Sequence, residues 1–467
     1  MANVRAPVLA GTWYPDDPGV LGRDVDGYIQ EAANRIDSAG IKAIIAPHAG
    51  YRFSGPVAGS AYGAIAPLRD RIRRVVLIGP SHKVAFDGIA TTSATAYRSP
   101  LGDVPIDAEG VRDILRLPQV HELDPAHAKE HSLEIHLPFL QRALGDFTLV
   151  PIVGGRAKPG EVAEVLANLW GGEETLIVIS TDLSHYLDYE TCRTLDARTS
   201  QAIMAGRIDD IGNDQACGRV GIKGLLKLAN SFDMTTNLLD LRNSGDTSDM
   251  KDRVVGYGSW SCHLPRREIN PRRLLAMGHG RLILGMANSS IRHGLKNGKP
   301  ASVVPARVPE ALKAEGASFV TINLDGRLRG CIGSVTAHRN LAEDIVINAY
   351  KAAFQDPRFE PLTQAEYEKA TIDISLLGPH TPFPGASEAE LITRLRLGRD
   401  GLTLADQGKR ALFLPAVWDN IKEPELFVRR LKQKAGWAAD YWSDTMTVTR
   451  FDSEKISPAS INQFVNG

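Results

Sequence analysis

Three short runs, Ile41 to Ala46, Arg73 to Ile78 and Thr175 to Ser180, constrain this chain more than any other feature. Each has the length of a strand rather than a helix, and each is apolar and largely β-branched through its centre, which is the pattern of a buried strand. Between them lie stretches with helical spacing of apolar residues: Leu21 to Ile36, Val57 to Ile65, Glu109 to Leu117 and Gly160 to Trp170. Strands alternating with helices over the first 260 or so residues predict an α/β domain, a central sheet flanked by helices.

The residues just past each run carry the chemistry. Ala46 leads into Pro47-His48, Ile78 into Gly79-Pro80-Ser81-His82, and Ser180 into Thr181-Asp182-Leu183-Ser184-His185. Pro47 ends the ladder for want of an N–H, and Gly50 and Gly55 are expected to turn the backbone close to a ligand. In open α/β sheets the crevice beyond the carboxyl ends of the strands is where ligands bind. Cys217 stands just before a helical run, Ile222 to Ala229, where a helix N-terminus is expected to lower a thiol pKa. Two imidazoles and a thiolate make a three-donor metal site with open positions, suited to zinc, iron or copper. Asp182 and His185 then fit the roles of orienting group and general acid/base. His131 and Glu134, three apart in a helix-like run from His127 to Leu144, share a face. Together with Trp13, Tyr51 and His136 they are expected to line the pocket.

The second half reads differently. Near Cys262 to Arg273 the chain turns polar, with Pro265 and Pro271 and several charges, and this places a boundary between residues 1–265 and 266–467. Asn270-Pro271 is a helix-start signal for a helix from Arg272 to Leu295. Asp325-Gly326 between two strand-like runs is a hairpin signal, and hairpins beside helices predict an α+β domain. Residues 1–265 carry 26 Lys and Arg against 33 Asp and Glu, whereas residues 266–467 carry 28 against 22. The near-neutral total, −1, argues against nucleic-acid binding by the whole chain. Four cysteines are too few for a disulfide framework and suggest a reducing compartment. The N-terminal residues lack the apolar core of a signal peptide, and no apolar run reaches the ~20 residues of a membrane span, so a cytoplasmic protein is expected.

Six motifs in order, Gly11 to Pro15 (GTWYP), Ala46 to Tyr51 (APHAGY), Gly79 to His82 (GPSH), Glu130 to Pro138 (EHSLEIHLP), Ser180 to His185 (STDLSH) and Ala216 to Gly218 (ACG), resemble those of the Memo family. That family is similar in fold to class III extradiol dioxygenases, whose non-haem iron is held by two histidines and a carboxylate. The resemblance implies His48, His82 and Cys217 as metal ligands and His185 as the acid/base histidine. It implies one metal ion, with iron as the first expectation and copper or zinc as alternatives, because a thiolate replaces the dioxygenase carboxylate. In the second half, Leu328 to Gly333 (LRGCIG), Asp356 to Phe359 (DPRF) and Phe413 to Trp418 (FLPAVW) resemble an AMMECR-type domain, with Arg329 and Cys331 as candidate binding residues. A chain joining both is similar to a fusion of proteins B and A of the AmmeMemoRadiSam system, which implies a radical-SAM protein as partner. The chain itself lacks the Cys-x3-Cys-x2-Cys run that such an enzyme needs. Two functions fit these features. One is a metal-dependent, dioxygenase-like oxidoreductase acting on a small molecule or peptide. The other is a non-catalytic module that uses the same pocket to bind a metal or ligand.

Overall fold

The computed structural model describes residues 3–32, 38–266, 269–383 and 387–466. They form two compact units, one of Met1–Ile269 with Phe464–Gly467 and one of Asn270–Gln463. The first is α/β, with a central sheet flanked by helices, and the second is α+β, as the residue patterns predict.

The core of the first sheet is parallel. Ile41–Ala46 pairs with Thr175–Ser180, which pairs with Arg74–Pro80, which pairs with Thr148–Gly154. All six residues of Ile41–Ala46 and of Thr175–Ser180 are buried, as an interior strand covered on both faces requires. Val254–His263 lies antiparallel to Ile41–Ala46, and it also pairs antiparallel with Thr235–Asn243 and, at its start, with the short strand His185–Leu187. Register decides where the functional residues emerge. Ala46 is opposite Ser180, and Ile78 is opposite Ile179, so Gly79, Ser180 and Ala46 are level. The segments leaving these three residues open at the same end of the sheet.

Two local expectations need correction. The helix expected over Val57 to Ile65 begins at Tyr51 and runs Tyr51–Ile65, with Gly55 and Pro56 inside it. Gly55 therefore does not turn the chain toward a ligand. It lets the helix lie against Tyr28 of the helix Pro18–Ala32: a Cβ at Gly55 would come 2.7 Å from the Tyr28 ring, and one at Gly59 2.4 Å from its carbonyl oxygen. The run from His127 to Leu144 is broken. Asp124–Ala128 is a short helix, Glu134–His136 a 3₁₀ turn, and only Leu137–Leu144 a full helix. Pro138 lacks an N–H and disfavours the α conformation in the residue before it, so it stands at a helix start rather than within one.

Trp260 is among the largest side chains buried completely, and its indole N–H donates to Ser200 Oγ at 3.2 Å. Trp260→Ala is expected to cost about 3–5 kcal/mol, the usual range for emptying an aromatic core position. A denaturant titration followed in the first unit reads it, and a loss below about 1 kcal/mol, the scale of a typical single substitution, would mean the sheet does not depend on this ring.

In the second unit, Ser318–Leu324 pairs with Arg327–Gly333 through the left-handed turn Asp325-Gly326 (φ 50° and 74°), the hairpin that Asp-Gly signals. Thr371–Leu377 and Ser453–Ile456 complete that sheet, and a second four-stranded sheet is built around Gly401–Asp406. The helix Pro271–Asn297 starts with Asn270 Oδ1 accepting the Arg272 N–H at 3.0 Å and ends at Gly298 in the left-handed region. Among the described residues no helix is long and apolar enough to cross a membrane.

Candidate metal centre

His48, His82 and His131 meet beyond the level strand ends, with one ring nitrogen from each within 4.8 Å of the others. The His82 and His131 rings stack at 4.4 Å between centroids, and His48 meets them edge-on at 5.2 and 5.5 Å. His48 is buried and His131 half-buried, while His82 is the most open. Burial, and then the charges of the neighbouring histidines, push His48 well below the usual imidazole pKa. Burial likewise lowers His131 to about 4. Both rings are therefore neutral at pH 7, the form in which imidazole ligates a metal.

The partners of each ring's Nδ1 decide which nitrogen faces the others. His48 Nδ1 is 2.6 Å from Ser180 Oγ, and that hydroxyl donates its one proton to the carbonyl of Ser132 at 2.6 Å. Ser180 must therefore accept from His48, whose Nδ1 carries the proton and whose Nε2 keeps its lone pair. His82 Nδ1 is 2.9 Å from Glu130 Oε1, and His131 Nδ1 is 3.3 Å from the same oxygen. Burial would raise the Glu130 pKa, but the hydrogen bonds from the His82 ring and from the backbone of His82 and Ser132 outweigh it and hold the carboxyl at about 2. Imidazoles whose outer nitrogen is tied to a carboxylate or hydroxyl are the usual surroundings of a metal ligand, and the donor set fits a divalent ion.

Cys217 lies beside this group, its Sγ 3.4 Å from His48 Nε2 and 3.2 Å from the Asp182 N–H, which donates to it. The helix on its C-terminal side, Arg219–Ser231, does not lower this thiol as expected. Burial, then the Asp182 charge, push it up to about 12. Asp182 accepts the His48 N–H at 2.8 Å, and its other oxygen is 4.0 Å from His48 Nε2. Burial raises its carboxyl to about 7 against the opposing effects of that N–H and of His82. His185 starts the strand His185–Leu187 and is half-buried. Burial lowers its pKa and the Leu183 backbone opposes this, while the charge of His82 also reaches it and adds to the lowering.

The expected pocket wall divides. Trp13 is partly exposed and meets His131 edge-on at 4.8 Å, and its carbonyl accepts the Tyr51 N–H at 2.9 Å. Tyr51, Glu134 and His136 instead face the core. Tyr51 donates its hydroxyl to the Ile135 carbonyl at 2.8 Å and packs on Phe139. His136 pairs with the Tyr62 hydroxyl at 2.7 Å. Glu134, fully buried, pairs with Arg5 and accepts the Tyr14 hydroxyl at 2.6 Å and the Leu9 N–H at 2.8 Å. The break at Pro138 explains the division, because without one continuous helix His131 and Glu134 do not share a face. Glu130 and Ser180 do not stand out as site residues in the sequence, although each lies within a motif: a carboxylate directly before His131, and a hydroxyl at the end of a buried strand.

Tyr186, next to His185, is 63% exposed and has φ 60°, a strained conformation for an aromatic residue. Arg253 lies 4.9 Å from its ring centre. A cavity of about 1000 Å³, lined by Ser60, Asp240, Arg242 and His263 among others, does not border the three histidines. In the second unit, Arg329 is engaged by Glu366 at 2.8 Å and by the Glu360 carbonyl at 2.9 Å. Cys331 is half-buried, its Sγ 3.4 Å from Thr321 Oγ1 and its N–H donated to Asp356 at 2.8 Å.

Both units are similar to known proteins. Residues 5–261 match the family model described as Memo-like protein, and residues 284–456 match that of AMMECR1. A MEMO1 family protein of Methanothermobacter thermautotrophicus is 31% identical over 280 residues, covering 55% of this chain and 100% of the relative. A MEMO1 family protein of Aquifex aeolicus is 36% identical over 270 residues, covering 55% and 97%. Among solved structures, an uncharacterized protein from Pyrococcus horikoshii, PH0010, is 30% identical with a TM-score of 0.36, covering 38% of this chain and 89% of that one. With more than half of its length matched, the chain belongs to the Memo family, its Memo domain fused to an AMMECR1 domain.

Proposed function

We propose that the first unit is a mononuclear metal centre in which His48, His82 and His131 hold the ion, and that it serves a dioxygenase-like oxidoreductase acting on a small molecule or peptide. The observation that supports it is the convergence of three imidazoles, two of which, His48 and His82, have Nδ1 already hydrogen-bonded and so keep Nε2 for an ion. Iron is the first candidate, with copper and zinc as alternatives. A bound ion would supply Lewis acidity and, where redox-active, electrons. The chain's own residues do the rest. Asp182 fixes the His48 backbone, and His185, half-buried next to the exposed Tyr186, is placed to exchange a proton between substrate and solvent. A radical-SAM protein is the proposed partner, on the strength of the family resemblance alone. Trp13, open at the mouth against His131, favours the second reading, a binding module without turnover, equally well.

Purification without oxygen, metal analysis and then oxygen uptake with candidate substrates separate these readings. One equivalent of metal with substrate-dependent uptake is expected. Failure to bind any ion stoichiometrically after reconstitution rejects the metal centre, and metal without uptake leaves the binding module.

Cys217 is proposed as an additional donor that matters for soft ions. Cys217→Ser is expected to weaken copper(I) binding about 10–100-fold while zinc and cobalt(II), held by the imidazoles, change little. Competition titrations measure both. Equal losses for all three ions would place Cys217 among the obligatory ligands.

A further inference from the structure

We infer that Glu130 is a positioning residue of this centre: one buried carboxylate sets the direction and the proton position of the His82 ring and holds the backbone at His131. The inference rests on the metal-site reading above and adds to it the group on which two of the three donors depend.

Four donors bond to this side chain, and the His131 Nδ1 stands near it. Oε1 is 2.9 Å from His82 Nδ1 and 3.3 Å from His131 Nδ1, and it accepts the backbone N–H groups of His131 and Ser132, both at 2.9 Å. Oε2 accepts the His82 N–H at 2.6 Å. An ionised carboxylate has only lone pairs to offer, so a ring nitrogen held against it must carry the proton. In the neutral form in which His82 would ligate a metal, its far nitrogen, Nε2, is then left with the lone pair. The His131 ring stacks on His82 at 26°, its backbone N–H bonded to the same carboxylate oxygen. The backbone contacts extend the effect. The loop after Arg74–Pro80 and the loop before Glu134–His136 are joined through this group, beside the bond from Ser132 Oγ to the Pro80 carbonyl at 2.9 Å, so it helps to fix the spacing of the two donors. Arg5 holds the Glu130 carbonyl from outside at 2.5 Å. Three neutral imidazoles bring no charge to a bound cation, and Glu130 places a negative charge one ring away.

The test uses the full chain with zinc and cobalt(II) as probes. Glu130→Gln keeps the volume but replaces one acceptor with an NH₂ that faces donors, so the pattern cannot be reproduced. Zinc affinity is expected to fall about 10–100-fold, as for loss of an outer partner of a ligand, and the cobalt(II) visible spectrum should change in position and intensity. Glu134→Gln is the control. That carboxyl is equally buried but aimed at Arg5 and Tyr14, so its loss should lower the melting temperature and leave zinc affinity and the cobalt spectrum as in the wild type. A Glu130→Gln protein with wild-type affinity and spectrum overturns the proposal and leaves the metal centre standing. A wild-type protein that binds neither ion overturns both. A measurement on the unmutated, metal-free chain covers the case in which the variant does not fold: long-range proton–nitrogen NMR reads imidazole tautomers directly. His82 protonated at Nδ1 supports the proposal, and His82 protonated at Nε2 alone overturns it.

Discussion

Alanine at position 48 should reduce zinc or cobalt(II) affinity by at least about 10²-fold, beyond the 10–100-fold typical of losing an outer partner, and should leave the fold intact. His48 is 1% exposed and meets both other rings, so its ring stands at the centre of the donor set. It lies past the end of Ile41–Ala46 and takes no part in that strand's pairing. Removing its ring leaves Ser180 still donating to the Ser132 carbonyl, so one buried acceptor goes unmatched at a cost of about 1–3 kcal/mol, within the usual stability of a domain. Equilibrium dialysis and circular dichroism on the same sample give the answer. Wild-type affinity in His48→Ala would remove this residue from the donor set, and with it the convergence on which the centre is built.

The second large effect is on rate. If the centre turns over substrate, His185→Ala should keep the metal and lower kcat about 10²–10⁴-fold, the range for removing a general acid or base. His185 is half-buried, close enough for the His82 charge to act on it, and outside the three-imidazole group. The variant separates three roles. Metal retained with the rate lost marks a proton carrier. Metal and rate lost together mark a ligand. Unchanged turnover would show that the proton moves by another route.

Much of this arrangement is legible in the sequence because it derives from strand ends. Buried runs of β-branched residues specify parallel strands, parallel register aligns their carboxyl ends, and His48 and His82 come directly after them. His131 is harder to place. It arrives on no strand, and the apolar spacing around it suggests one helix where the structure has a turn and a 3₁₀ segment ahead of Pro138. Glu134 and His136 seem to point outward for the same reason, although tertiary partners far away in sequence, Arg5, Tyr14 and Tyr62, draw them into the core. The Cys217 thiol departs from expectation on another ground. Position before a helix argues for a lowered pKa, but burial and a nearby carboxyl oppose it and prevail. Nothing in composition or spacing signals that a hydroxyl such as Ser180 relays its single proton to a carbonyl and thereby fixes a ring.

The sheet order bears on the order of events in the protein's life. The donors come from segments that meet only after Ile41–Ala46, Thr175–Ser180 and Arg74–Pro80 have assembled, with the Ser132 carbonyl reaching back to Ser180. In a zinc finger the ion and the fold arrive together. Here the three imidazoles stand at positions 48, 82 and 131, so a nascent chain has no adjacent pair of them with which to capture an ion, and on the proposed metal-site reading the domain folds first and takes its ion afterwards. On that reading the identity of the ion is settled by which metal the finished protein meets, not by which was present while it was being made.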